Sequence, residues 1–320
     1  MDKVQIPPAL NRLNSMFFVR WLLIWGVIVA LCVSVLVLGP GLLVPPVAIV
    51  LGVMYAHAVE LQHWCLHRLA FRIEPGSGLA KFLRCLETRL GLARDSKRLQ
   101  RLVSLLHRLV GILLGLPMLV AYSHYRARHL EHHRWLGTPK DKEFFDYSRR
   151  LNSWTALLVQ AYSLRRYPHV SQEIWNALRG RTCADARSPE EARHIRQEYC
   201  LMAALLVAAG GLSLAWHSLV IFKVWVLPLL LSAEAAHYLI ELPEHFRCET
   251  GTQDLMRNTR TVVASRFSRW LSARNNFHIE HHYHAGISPE KLVDLHPLLA
   301  PQMVYLERSY WTFLKGTVRS

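Results

Sequence analysis

His129, His132 and His133 fall within a run of polar and basic residues from His124 onward. Read as a helix, they sit at i, i+3 and i+4, positions that share one face. His278, His281 and His282 repeat the spacing near the other end of the chain, and His63 and His67 form a third pair at i and i+4. Imidazoles grouped this way, with no acid or thiol on the same face, suit a borderline metal such as iron or zinc. Glu131 and Glu280 stand at i+2 within their clusters, off the ligand face, and read as outer or surface groups. Single histidines such as His107, His169, His194 and His217 read as ordinary surface or core residues.

These clusters need elements to carry them, and the composition points to a membrane. The formal net charge is +15 and hydrophobic residues make up 52% of the chain. The apolar residues gather into long runs with the charges between them, a pattern in which Lys and Arg mark the cytoplasmic side. There is no paired-cysteine zinc spacing and no basic stripe with interleaved aromatics, so nucleic acid is not an expected partner. Cys32, Cys65, Cys85, Cys183, Cys200 and Cys248 are scattered, which argues against a disulfide framework.

The runs at 21–38, 42–59, 201–222 and 224–240 read as four spans in two hairpins. Gly39-Pro40-Gly41 forms the first turn, Lys223 marks the second loop, and the N-terminal run is too long for a cleaved signal. Leu109 to Tyr122 is apolar but short, which fits an interfacial or re-entrant segment, with Pro117 as a kink. The regions 60–200 and 241–320 are then cytoplasmic, with all three clusters on that side. The expected fold class is an all-α integral membrane protein in which one domain, residues 1–320, combines four spans with a helical cytoplasmic part. The basic segment 68–101 could lie along an anionic leaflet or form an ordinary solvated helix pair.

Several residues near the clusters are candidates for supporting roles. Glu234 and His237 fall inside the fourth span, where an ionisable group is costly and normally faces the protein interior, so both are expected to line a cavity or reach toward the metals. Asp141 either fixes the tautomer of a ligating imidazole or is a plain turn residue. His124 and Asn276, beside the second and third clusters, are further candidates for contact with the site.

The order H-x3-H, H-x2-H-H, H-x2-H-H around two hairpins resembles the membrane-bound fatty acid desaturase and hydroxylase family over roughly residues 20–305. The resemblance implies a diiron centre that uses oxygen to remove hydrogen from an unactivated C–H bond. It also implies a long acyl substrate and an external electron donor of ferredoxin, rubredoxin or cytochrome b5 type. The implied ligands are His63, His67, His129, His132, His133, His278, His281 and His282. A ninth, His245, comes from the likeness of Glu244-His245-Phe246 to the Glu-His-Tyr of alkane hydroxylases and sphingolipid desaturases. Ala233-Glu-Ala-Ala-His237 resembles the Asn-Ser-Ala-Ala-His of stearoyl-CoA desaturases, which makes His237 the reserve. Two departures stand out: the family's proline after the third cluster is absent, with His284 and Ala285 there, and the 68–101 insert is long. The expected reaction is desaturation, with hydroxylation or decarboxylation to a terminal alkene as alternatives on the same ligands. The expected location is multi-pass in a bacterial inner membrane, with the active site on the cytoplasmic side. A non-catalytic membrane protein with structural zinc is the rival from another class, but structural zinc sites are usually closed with four ligands and commonly use thiolates.

Overall fold

The computed structural model describes residues 6–11, 13–72, 81, 85, 88–89, 96–141 and 151–319. Much of the basic segment 68–101, and residues 142–150, lie outside that set. The first helix, α1, runs from Ser15 to Leu38, opened by the Asn14 side chain, which accepts from the Met16 amide at 3.1 Å. It stops at Gly39-Pro40, and α2 (Val44–Leu66) starts with Pro45 and Pro46 in its first turn, where a missing N–H costs nothing. The hairpin expected from the sequence is therefore present. Its second arm runs beyond residue 59 and carries His63 in its own last turn.

Helix α2 packs against α1, α3 (Ser96–Gly115) and α8 (Phe222–Glu241), which explains why its side chains are buried without interruption from Met54 to Leu66. Trp25 on α1 donates its indole N–H to the Met54 carbonyl at 2.9 Å, and Gln62 on α2 donates to the Gly111 carbonyl of α3 at 2.8 Å. Gly52 is the point of closest approach to α8. A Cβ there would lie 2.2 Å from Ser232 Oγ and 2.4 Å from the Pro228 carbonyl oxygen. Around it α8 widens into π-helical turns over Phe222–Val226 and Leu229–Ala233.

Two expectations about the spans change. Among the described residues, five helices are long and apolar enough to cross a membrane, not four. The additional one is Arg98–Met118. The apolar stretch that looked short from Leu109 is the second half of α3, whose first half is a basic amphipathic continuation. Its end is a 3-10 turn at Leu116–Met118, closed by Leu119 at φ 55°, so Pro117 ends the helix and does not kink it. The other change is of register. Helix α7 runs from Pro189 to Ala215, capped by Ser188, whose Oγ accepts from the Glu191 amide. The chain turns at Trp216 and His217, the latter at φ 46°, so Lys223 lies inside α8 and not in a loop. Both α1 and α7 expose apolar side chains, including Leu31, Val207 and Leu214. Surfaces of that kind suit contact with lipid.

The second and third clusters occupy shorter helices beside the end of α2 that carries the first. Helix α4 (Tyr122–Trp135) carries the second, and α5 (Trp154–Ala161) and α6 (Arg166–Leu178) follow before α7. After α8 come α9 (Leu255–Asn258), β1 (Thr261–Val262), α10 (Arg266–Leu271), α11 (His278–Tyr283) with the third cluster, α12 (Pro289–Leu299), β2 (Leu306–Glu307) and α13 (Tyr310–Arg319). The Asp294–Pro297 stretch is helical, within α12. β1 and β2 pair in parallel, Thr261 opposite Leu306. Trp64 clamps this part to the bundle, its indole N–H donating to the Ala273 carbonyl at 2.9 Å.

Candidate metal centre

Nine histidines converge in two adjoining groups. His63, His67, His129, His133 and His281 form one, and His132, His245, His278 and His282 the other. The ring nitrogens of each group lie within 4.8 Å of one another. The second and third clusters are each divided between the groups. On α4, His129 and His133 point to the first group and His132 to the second. On α11, His278 and His282 point to the second group and His281 to the first. Successive helical residues are about 100° apart, so i+4 falls about 40° to one side of i and i+3 about 60° to the other, which puts i+3 and i+4 about 100° apart. Two such helices facing each other supply a pair to one group and a single imidazole to the other.

In the first group, His129 Nε2 lies 2.8 Å from His63 Nε2 and 3.0 Å from the Nε2 atoms of both His67 and His133. His133 Nε2 is also 2.9 Å from His281 Nε2. In the second group, His278 Nε2 stands 3.0 Å from the Nε2 atoms of both His245 and His282. Burial, reinforced by the neighbouring imidazoles, holds His67, His129, His133, His278, His281 and His282 well below the ordinary histidine range. Burial pushes His245 down to about 3. These rings are neutral at physiological pH, the form in which imidazole binds a metal.

The outer nitrogens tell which way the lone pairs face. His132 Nδ1 donates to both oxygens of Asp141 at 3.0 and 2.9 Å, and His245 Nδ1 donates to the Asn258 carbonyl at 3.0 Å. In the neutral, metal-binding form of the two rings both Nε2 atoms present bare lone pairs, 3.2 Å apart. Two buried lone pairs at that distance repel. A cation between them removes the conflict, and the donor set fits a borderline metal. His63 is oriented similarly: its Nδ1 donates to Asn275 Oδ1 at 3.0 Å, while Asn275 Nδ2 donates to Glu60 Oε2 at 2.7 Å.

The expected supporting residues divide. Asp141 meets the site through His132. His124 does not: it contacts Tyr199 Oη at 2.7 Å and Asp185 at 3.0 Å, on a different side of α4. Asn276 bonds the Val262 carbonyl and Ser272, and its neighbour Asn275 is the residue that reaches the site. The Asn275 side chain, beside the candidate Asn276, is the one that meets His63, because only the turn before α11 decides which of the two points inward. Glu234 belongs to neither histidine group. It accepts from Arg166 Nε at 3.0 and 2.8 Å and from Tyr167 Oη at 2.7 Å, locking α6 to α8. His237 belongs to neither histidine group and stands with Glu60 and Glu241. Glu280 is fully buried behind α11, bonded to Thr261 Oγ1 at 2.6 Å and to His296 Nδ1, and Glu131 accepts from the Trp135 indole. Replacing Glu234 with Ala would leave Arg166 without its anion. We expect a loss of about 3 kcal/mol in stability, read as a lower melting temperature in detergent, with the metal content of the folded fraction unchanged.

A helical, membrane-type protein with paired all-histidine groups belongs to a narrow class, and the comparisons agree. Residues 92–314, more than two thirds of the chain, match the fatty acid desaturase family. The chain belongs to that family, and the protein is an oxidoreductase with an acyl-lipid substrate and a membrane setting. A comparison with curated proteins returns no match. The match begins beyond His63 and His67, so the first cluster joins the family's matched region only through the folding of α2 against α4 and α11.

Proposed function

We propose that this protein is an oxygen-dependent diiron desaturase of long acyl chains. Its nine ligands would be His63, His67, His129, His133 and His281 for one iron, and His132, His245, His278 and His282 for the other. The chemistry supplied when two irons are bound there is removal of hydrogen from an unactivated C–H bond, at the expense of oxygen and electrons from an external protein donor. The observation that carries this reading is the adjacency of the two groups, with His132 and His245 bringing their Nε2 atoms to 3.2 Å.

The remaining work belongs to the protein's own groups. Asp141, the Asn258 carbonyl and Asn275 hold three rings in the tautomer that frees Nε2 for a metal. A cavity of about 200 Å³ reaches histidines of both groups and is lined also by Tyr125, Glu60, Glu241 and Glu244. It offers space for substrate carbon and oxygen beside the site.

The test is a lipid and hydrocarbon profile of cells producing the protein together with a reductase system. A new double bond in acyl chains, formed only with oxygen, supports desaturation. Hydroxylated chains or terminal alkenes would assign another reaction to the same ligands, and no oxygen-dependent product would overturn the reading. The sidedness proposed is that all three clusters face the cytoplasm. We expect a tag at Gly39 to be cut by protease only from the opposite side, and cleavage in sealed inverted vesicles would reverse that topology.

A further inference from the structure

Two carboxylates, Glu60 and Glu241, face the same cavity as the two histidine groups. Glu60 on α2, and His237 and Glu241 one turn apart on α8, bring one ligand atom each to within 4.8 Å of one another. We propose that these three residues form an additional divalent-cation site, distinct from the nine histidines.

Glu60 makes the strongest demand for a cation. It is 3% exposed, set into a helix that crosses the apolar bundle, and its side chain has the Asn275 amide as its hydrogen-bond partner. Among the described residues, no Lys or Arg pairs with it. A buried carboxylate is costly unless paired or bound to a metal. His237 supplies an independent sign. Its Nε2 is sealed from solvent with no hydrogen-bond partner and lies 3.2 Å from Glu241 Oε1, within ion-pair distance. Two such groups on one helix, converging with a buried carboxylate from another, are arranged as ligands of a common ion.

The donor set defines the ion. Two carboxylates and one imidazole balance a dication in charge, and their mixed oxygen and nitrogen character suits Mn²⁺, Fe²⁺ or Zn²⁺, whereas the all-imidazole groups favour the softer end of that range. The frame is rigid, because α2 and α8 pack directly, with Gly52 allowing the close approach. Glu60 and Glu241 both line the cavity that reaches His63, His129, His132, His245 and His278, so the cation would stand beside the paired site and share its solvent.

The experiment uses the full chain in lipid nanodiscs, loaded anaerobically with Fe²⁺ and freed of excess metal, with metal counted per chain by mass spectrometry. The expected result is three metal ions in the wild type and two in both His237→Ala and Glu241→Gln. A second measurement follows Mn²⁺ binding to the metal-free protein by paramagnetic resonance. The tightest Mn²⁺ should weaken at least tenfold in those two variants and be kept in His245→Ala. Two ions in the wild type with no change in the variants overturns the site. So does the loss of two or more ions from either variant, which would make the residues supports of the histidine pair. Failure of the diiron reading looks different: tight Mn²⁺ binding sensitive to Glu241→Gln, with no iron whose retention depends on His245.

Discussion

His132→Ala protein is expected to enter the membrane, fold and lose turnover to background. His132 is the one imidazole that α4 sends to the second group, while its neighbours His129 and His133 serve the first. The remaining imidazoles cannot replace it, because their directions are set by helix phase and by packing. Its outer nitrogen sits on Asp141 and its inner nitrogen faces His245, so the truncation removes both an oriented donor and the partner of a lone pair. None of the membrane-length helices depends on it. Iron should fall by about one ion per chain, the loss confined to the second group. Asp141→Asn provides a graded companion. It keeps an acceptor but removes the charge that fixes the imidazole, and a weakening of about 10- to 100-fold in metal affinity is expected. Full activity in folded His132→Ala protein, or product formed without oxygen, would sink the diiron assignment.

The contrast between His245→Ala and His237→Ala should be nearly as large. His245 Nε2 is 3.2 Å from His132 Nε2 and 3.0 Å from His278 Nε2, with its outer nitrogen held by the Asn258 carbonyl. Its removal should take iron from the second group and abolish turnover. His237→Ala leaves every nitrogen of both histidine groups in place, so the paired irons should remain, the separate cation held with Glu60 and Glu241 should be lost, and rate or product should change without turnover being abolished. The check is the iron stoichiometry of each purified variant beside its oxygen consumption. The reverse pattern would transfer the ligand role to His237. Pro243 lies between the two histidines, where α8 has ended, so their separation in sequence does not place them on one helix face.

The local chain alone carries a good deal of this. Histidines at i, i+3 and i+4 share a helix side wherever the segment is helical, so the three clusters were legible from spacing, and four of the five membrane-length helices from hydropathy. The hairpin of α1 and α2 followed from Gly39-Pro40-Gly41 and the prolines behind it. Segment ends were less legible. The start of α3 lies in a basic stretch that dilutes its hydropathy, and α7 opens at a Ser-Pro cap far ahead of its apolar part.

What only the tertiary structure decided is how the donors are shared. Helix phase separates i+3 from i and i+4, but which group each direction meets depends on α4 and α11 facing one another. Hence the crossing of His132 and His281 is invisible in either segment alone. The same holds for Asn275 over Asn276, for Glu234 committed to Arg166, and for Glu60 brought to His237 and Glu241. In each case the partners lie on different elements, and a side chain's direction has meaning only once the opposing element is packed against it.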